Sequence, residues 1–212
     1  LLYSAFTYYS GFRANSGEYK LMGLAPYGTP KFKNKILDNI IDLKEDGSFN
    51  LDMSYFDFTT GDRMISDKFR DLLGKPERQM DSNHVDEFYM DVAASIQSVT
   101  EEVVISLGEH IAKETGQKNL CLAGGVALNC VANGKLAERR LFDNIWVQPA
   151  AGDAGGALGC ALAAYHMEKG MPRHRENGKD AMSGSLLGMQ WSNACIEQNL
   201  NEMSVKYKRL EN

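Results

Sequence analysis

Residues 119–160, NLCLAGGVALNCVANGKLAERRLFDNIWVQPAAGDAGGALGC, decide the fold of this chain. Two apolar runs, 120–123 and 145–147, each end in a turn of small residues and then enter a helical pattern. Strand and helix in alternation favour a parallel α/β sheet with covering helices. The segments predicted here are strand 119–123, helix 128–139, strand 144–148 and helix 154–169. We expect both strands to be buried.

The two turns carry the candidate site. Gly124 and Gly125 follow the first strand, so bare backbone N–H groups could face a phosphate-bearing ligand at a helix start. A tight turn without a ligand explains the same glycines equally well. The sequence has neither a GxGxxG nor a Walker phosphate motif, which leaves Rossmann and P-loop interpretations weak. Asp153 lies at the second turn, and the carboxyl ends of parallel strands share one edge, so we expect one cleft that holds a nucleotide and a metal.

Each candidate side chain also has a structural explanation. Asn129 could bond a ribose or a base, or it could cap the helix backbone. Asp153 could bind a divalent cation or act as the N-cap of helix 154–169. Capping is favoured for each residue alone, but glycines at a helix start cost stability and shift Asp153 towards a ligand role. Lys20 precedes a glycine-bearing loop, where it could meet a phosphate or simply be solvated. The four histidines are scattered, and no catalytic residue is predicted.

The clearest helix runs over 84–115, where apolar residues recur every three or four positions and Gly116 suits its C-terminal end. We expect it to pack on the sheet through one face, formed by Val92, Ile96, Val99 and Val103. The remaining expectations are a buried helix in 1–12, a loop-rich stretch over 13–30, helices over 32–43 and 63–73, a strand or hairpin over 48–58, a helix over 193–203 capped by Ser192, and a strand over 205–210.

Composition excludes several classes of protein. The chain has 212 residues and a net charge of −5, which argues against a general nucleic-acid binder. No stretch reaches the roughly 18 apolar residues of a membrane span, and no signal peptide is visible. The four cysteines form no CxxC pair, and three have apolar or small neighbours that predict burial and a reduced, cytoplasmic setting. Both ends look cut, so we expect a fragment of a longer protein.

Three blocks of sequence resemble a known family. GEYKLMGLAPYG (17–28), CLAGGVALNCVANGKL (121–136) and IWVQPAAGDAGGALG (145–159) are similar to segments of the O-carbamoyltransferases of nodulation-factor and antibiotic biosynthesis. The resemblance spans roughly 1–210. It implies an actin-like (ASKHA, ribonuclease H-like) domain with a mixed sheet flanked by helices, joined in the family to a YrdC-like domain. The family is itself similar to the hydrogenase-maturation carbamoyltransferase and to the tRNA threonylcarbamoyl-transfer enzymes.

The resemblance also implies a reaction and its residues. In the family, carbamoyl phosphate and ATP give carbamoyladenylate in the YrdC-like domain, and the actin-like domain moves the carbamoyl group to a hydroxyl of a small-molecule acceptor. By resemblance, the GGVxxN segment contacts adenosine; in this chain its named members are Gly124, Gly125, Val126 and Asn129. The resemblance also assigns nucleotide binding to Gly11, near the ribose, and to the block that contains Lys20. Asp153 matches the aspartate that ligates an iron-type divalent metal.

Two expected parts of the family lie outside this sequence. The other metal ligands of the family come from an upstream HxxxH helix, and the YrdC-like domain would follow Asn212. We therefore expect 1–170 to be the C-terminal half of the actin-like domain, 171–190 a linker and 191–212 the start of the next region. Another actin-like ATPase, a sugar-kinase-like protein or a non-catalytic module remain alternatives.

Overall fold

The computed structural model describes residues 1–80, 82, 84–173, 182–186 and 188–210. The chain divides into two compact units, Leu1–Gly159 and Cys160–Asn212. The helices are α1 (Leu2–Tyr9), α2 (Glu18–Leu24), α3 (Lys33–Asn39), α4 (Asp67–Leu73), α5 (Glu87–Thr115), α6 (Cys130–Glu138), α7 (Ala154–Ala163) and α8 (Asn193–Glu202). The strands are β1 (Ile41–Leu43), β2 (Phe49–Leu51), β3 (Asn119–Leu122) and β4 (Asn144–Val147).

The predicted parallel pair is confirmed. β3 and β4 run parallel in a register that pairs Asn119 with Asn144 and Leu122 with Val147. The helix between them is shorter than predicted, because residues Gly125–Leu128 form a 3-10 turn and α6 begins only after Asn129. The predicted helix 154–169 likewise ends its α-helical part at Ala163 and continues as a π-helical turn over Ala164–Glu168.

The expected burial of these strands was wrong. One face of the β3–β4 pair is half-buried, whereas the other carries exposed side chains such as Cys121 and Trp146, the latter 47% exposed. The cysteines were also expected inside, but Cys121, Cys130 and Cys160 are exposed. Apolar neighbours in the sequence indicate a buried face only where another element covers that face. No element among the described residues covers the face of the β3–β4 pair that carries Cys121 and Trp146.

The long helix is confirmed over Glu87–Thr115, with Gly116 in the left-handed conformation at its end (φ 61°). Its expected partner was wrong. Val92, Ile96 and Val99 belong to a core formed with α1, α2, α3 and α4, and Val103 packs against the same core. The centre of that core is aromatic, with the Phe6 and Phe69 ring centroids 4.9 Å apart. The periodicity of a helix defines which face is buried but not which element buries it.

The helix α6 lies between α5 and the β3–β4 strand pair and packs against α5. Leu136 and Ala132 of α6 are buried, and a Cβ atom at Gly108 of α5 would lie 2.4 Å from Leu136 Cδ1. Gly108 therefore lets the two helices approach closely. This contact ties α6, and the turn that precedes it, to the main core.

Other segments depart from expectation in detail. The stretch 13–30 is not a loop but holds α2 and a 3-10 turn (Ala25–Tyr27), since Leu21 is fully buried and Pro26 lies in a first turn, where no N–H is needed. The helix expected over 32–43 ends at Asn39, and β1 follows, paired antiparallel with β2. The helix expected over 63–73 begins at Asp67. Part of the predicted linker 171–190 (174–181 and 187) lies outside the described residues.

In the second unit, α8 is confirmed with Ser192 as its cap, since the Ser192 hydroxyl accepts from the Cys195 backbone N–H at 3.2 Å. The strand expected over 205–210 was wrong. The Val205 N–H bonds back to the Leu200 carbonyl at 2.9 Å, and residues 205–210 pair with no strand in the part of the chain that the structure describes. An isolated extended segment has no ladder partner to stabilise it.

Candidate functional site

A groove of about 570 Å³ lies where the turns after β3 and β4 face the start of the chain. Its lining residues are Leu1, Tyr3, Ser4, Asn15, Ser16, Glu18, Tyr19, Met22, Gly125, Val126, Leu128, Asn129, Gly152 and Asp153. All belong to the first unit. The prediction that both turns open to one cleft is confirmed.

The two turns are joined directly. The Gly124 backbone N–H donates to the Ala151 carbonyl at 2.7 Å, and Gly124 has φ 99° and ψ 159°, a conformation available essentially to glycine alone. Gly125 follows at the start of the 3-10 turn, and a Cβ atom there would meet nothing within 4 Å. The backbone is therefore bare where it borders the groove. Val126 beside it is 51% exposed and lines the same wall.

Asn129 performs the helix-capping role that the sequence allowed. Its side-chain oxygen accepts from the Ala132 N–H at 3.1 Å, at the N-terminus of α6. Asn129 is also buried and lines the groove, so capping does not exclude a ligand contact.

Asp153 lies exposed at the mouth of the groove. No hydrogen bond to its carboxylate is found within residues 1–80, 82, 84–173, 182–186 and 188–210, whereas its backbone carbonyl accepts from the Gly156 N–H at 3.0 Å. Gly155 is glycine for a local reason, because a Cβ atom there would lie 2.0 Å from the Ala150 carbonyl oxygen. The described residues hold no group of three or more His, Cys, Asp or Glu side chains placed to bind a metal.

Two candidates do not line the groove. Gly11 has φ 77° and is packed against Arg78, whose guanidinium bonds the Ser10 carbonyl at 2.8 Å. Lys20 is exposed, with its ammonium 5.9 Å from the Tyr19 ring centroid. Their expected contacts to ribose and phosphate stay predictions.

The opposite wall contains residues that sequence reasoning missed. Glu18 Oε1 accepts from the Ser4 hydroxyl at 2.8 Å and from the Asn15 N–H at 2.7 Å, which fixes this carboxylate at the groove. Tyr3 lies beside it on α1. Glu18 stands in the first of the blocks that resemble the family, and this was the available signal. Glu18 and Asp153 are both acidic, and the lining includes no lysine or arginine among the described residues.

Comparisons with known proteins show which sequences the chain is similar to. The family profile described as "Carbamoyltransferase N-terminus" matches residues 1–162. The chain is 56% identical over 207 residues to "Uncharacterized protein sll1178" of Synechocystis. The aligned residues cover 97% of this chain and 33% of that protein. It is 40% identical over 171 residues to nodulation protein NolO of Bradyrhizobium diazoefficiens (81% of this chain, 29% of that protein). Nodulation protein NolNO of Sinorhizobium fredii is 38% identical over 183 residues (86% and 25%). The chain therefore spans about a third or less of the length of these relatives.

No helix among the described residues is long and apolar enough to cross a membrane.

Proposed function

The chain belongs to the carbamoyltransferase family, and we propose that it forms the nucleotide-binding part of an ATP-dependent O-carbamoyltransferase. In this proposal, a YrdC-like domain of the whole protein converts carbamoyl phosphate, water and ATP into carbamoyladenylate and releases phosphate and pyrophosphate. The acceptor hydroxyl oxygen then forms a bond to the carbamoyl carbon. The bond from that carbon to the adenylate phosphate oxygen breaks, the hydroxyl proton is lost and AMP leaves.

The observation that carries the proposal is the groove between the paired turns and α1–α2. Its volume of about 570 Å³ is in the range of small-molecule sites. It lies at the carboxyl ends of β3 and β4, the edge at which α/β sheets bind ligands. We extend the proposal to the fold, as half of an actin-like, ribonuclease H-like domain whose other half completes the cleft.

The side chains of the groove suit a nucleoside. Tyr19, Met22 and Val126 supply apolar surface for a base. Glu18 has acceptor capacity for sugar hydroxyls, because Ser4 and Asn15 both bond to its Oε1 alone. The described lining offers no cation for phosphates, so phosphate charge would need another source of compensation.

Asp153 fits one ligand position of a divalent metal. Its carboxylate is exposed in the groove, and oxygen donors suit hard cations. A divalent ion bound there would neutralise phosphate charge beside two carboxylates. We propose that the remaining ligands come from the part of the whole protein that corresponds to the HxxxH helix, and that iron or a similar metal occupies the site.

The proposed setting is the cytoplasm, where ATP is present and thiols stay reduced, in keeping with free cysteines at Cys121, Cys130, Cys160 and Cys195. The proposed partners are carbamoyl phosphate and a small molecule that carries a hydroxyl group.

The test separates this reaction from its alternatives. The full-length protein is incubated with ATP, with and without carbamoyl phosphate, and the nucleotide products are identified. We expect carbamoyladenylate and pyrophosphate only when carbamoyl phosphate is present, and AMP once an acceptor hydroxyl or water takes the carbamoyl group. ADP formed without carbamoyl phosphate would instead support a sugar-kinase-like or other actin-like ATPase. No turnover together with no ATP binding would favour a non-catalytic module.

A further inference from the structure

One face of the β3–β4 pair carries a cysteine and a tryptophan that no element among the described residues covers. Cys121 and Trp146 are register partners on the two strands, so their side chains lie side by side on the same face. Cys121 is exposed, and so is about half of Trp146. We call this surface, defined by Cys121 and Trp146, the open face.

The open face lacks the features of a surface that meets water. At its amino end the Asn144 side-chain amide donates to the Asn119 side-chain oxygen at 2.8 Å, so these polar groups partner each other. Neither strand, Asn119–Leu122 or Asn144–Val147, contains a charged residue. Exposed strands in natural proteins usually carry lysine, proline or another feature that prevents unwanted pairing. The composition of both strands therefore indicates contact with protein.

The parallel pairing also requires a cover. Within the described residues β3 and β4 form a sheet of only two strands. Parallel sheets occur almost only where both faces are packed, because their crossover connections place helices against them. The face opposite the open face is half-buried, and its residues are Leu120, Leu122, Ile145 and Val147. That face meets the requirement in part, whereas the open face does not meet it.

The helix that follows β4 has the same property. The sequence of α7, AGGALGCALA, contains no charged, hydroxyl or amide side chain, and none of its residues is buried. A helix that is apolar on all sides is found in a protein core or in a membrane. The 10 residues of α7 are too few to span a bilayer, which takes about 20. This helix therefore also indicates contact with protein.

The length of the relatives indicates where the cover comes from. The match to "Uncharacterized protein sll1178" covers 97% of this chain but 33% of that protein, so most of that protein lies outside the match. A segment of the same polypeptide is held at a high effective concentration, whereas a second copy must be captured from solution. The same polypeptide is therefore the favoured source.

We propose that the open face is an intramolecular interface, covered in the whole protein by an apolar segment of the same polypeptide from outside these 212 residues. This interface is separate from the closure of the groove, because neither Cys121 nor Trp146 lines the groove. The inference rests on the proposal that the chain is part of a longer carbamoyltransferase.

Photo-crosslinking in the full-length protein tests the interface directly. In Trp146→benzoylphenylalanine one large aromatic side chain replaces another, and on irradiation it bonds to the groups that it touches. Mass spectrometry of the digest should find adducts to peptides outside residues 1–212. The matched control is Tyr27→benzoylphenylalanine, because Tyr27 is 74% exposed and belongs to the 3-10 turn Ala25–Tyr27. This control should give no such adduct.

Thiol labelling provides a second measurement, without a substitution in the open face. In the full-length protein we expect Cys121 to react with a maleimide at least about tenfold more slowly in the native state than in urea, because a buried thiol is poorly accessible. A cysteine introduced by Asp38→Cys, at an exposed position on α3, should react at similar rates in both states.

Several results would overturn the interface. These are adducts of Trp146→benzoylphenylalanine that join two copies of the protein, adducts confined to residues 1–212, and a Cys121 thiol that reacts as fast in the native state as in urea. If the last result accompanies normal formation of carbamoyladenylate, the interface alone is contradicted. The expected adducts and protection in a protein that forms no carbamoyladenylate would contradict the proposed reaction and support the interface.

Discussion

The backbone N–H of Gly124 donates to the carbonyl oxygen of Ala151 at 2.7 Å, so the turn after β3 is bonded to the turn after β4. Gly124 precedes the 3-10 turn, and Ala151 precedes Asp153 by two residues. This one backbone hydrogen bond therefore joins the turn that carries Gly124 and Gly125 to the turn that carries Asp153. Any change in the Gly124 backbone should move both walls together.

Gly124→Ala should strain this connection. The space around Gly124 is open, since a Cβ atom would meet nothing within 4 Å, but its φ of 99° disfavours any side chain. We expect a loss of about 1–3 kcal/mol in the free energy of unfolding, the usual cost of such strain, together with weaker ATP binding. Urea denaturation and calorimetric titration measure the two effects.

Gly125→Ala is the matched control. Gly125 has the same open surroundings without the positive φ, so the free energy of unfolding should change little. The added methyl group projects from a groove-lining residue and should weaken ATP binding alone. Equal stability losses in both variants would show that backbone strain is not what distinguishes Gly124.

The parallel strands and the shared site edge could be predicted because apolar runs, glycine turns and helical patterns are local signals. The element that packs against α5 could not be predicted, because a sheet or a set of helices could bury the apolar face of α5 equally well. Val92 and Ile96 in fact pack against helices. Likewise, α2 was missed because Gly17, Gly23 and Pro26 resemble loop signals, although each suits a helix end or a first turn.

Much of the site depends on long-range contacts. Gly125, Asn129 and Asp153 stand in one short segment and were found as a group. Tyr3 and Glu18 reach the same groove from the start of the chain, more than 100 residues away. The side-chain amides of Gln97 and Asn129 bond each other from positions 32 residues apart, and only the four-residue spacing of Gln97 and Glu101 is visible locally.

Gly28→Ala should destabilise the core beside the groove. A Cβ atom at Gly28 would lie 2.1 Å from the Met90 carbonyl oxygen, and the backbone of α5 cannot move aside as a side chain can. We expect a cost of about 1–3 kcal/mol or more in urea denaturation. Gly23→Ala serves as the control, because it adds a methyl group in open space on α2 and should be neutral or slightly stabilising. Equal behaviour of the two variants would contradict the close approach.

Asp91 should make stability depend on pH in the acid range. Burial opposes its ionisation, but bonds from Lys31 and Thr29 outweigh burial, and the pKa of this carboxyl lies below its ordinary value. Its contribution is therefore present above the unfolded pKa of about 3.9 and is lost as pH falls through the lower folded value.

Asp91→Asn should consequently flatten the fall in the free energy of unfolding below about pH 4, measured by urea denaturation at a series of pH values. Asp38→Asn, at an exposed aspartate on α3, should keep the slope of the unaltered protein. An unchanged slope in Asp91→Asn would show that other carboxylates govern acid unfolding.

Asp153→Asn in the full-length protein should separate metal binding from adenylate formation. The substitution keeps the size of the side chain but removes the negative charge that favours a divalent ion. We expect reduced metal content and loss of carbamoyl transfer, while formation of carbamoyladenylate from carbamoyl phosphate and ATP in the other domain continues. Metal analysis and product analysis measure these, with Asp143→Asn, an exposed aspartate outside the groove, as the charge-matched control. Normal transfer at normal metal content would assign Asp153 a structural role at the start of α7. By the same reasoning, the 212-residue chain alone should bind Fe²⁺ only weakly, because one carboxylate cannot offset the dehydration of the ion without partner ligands.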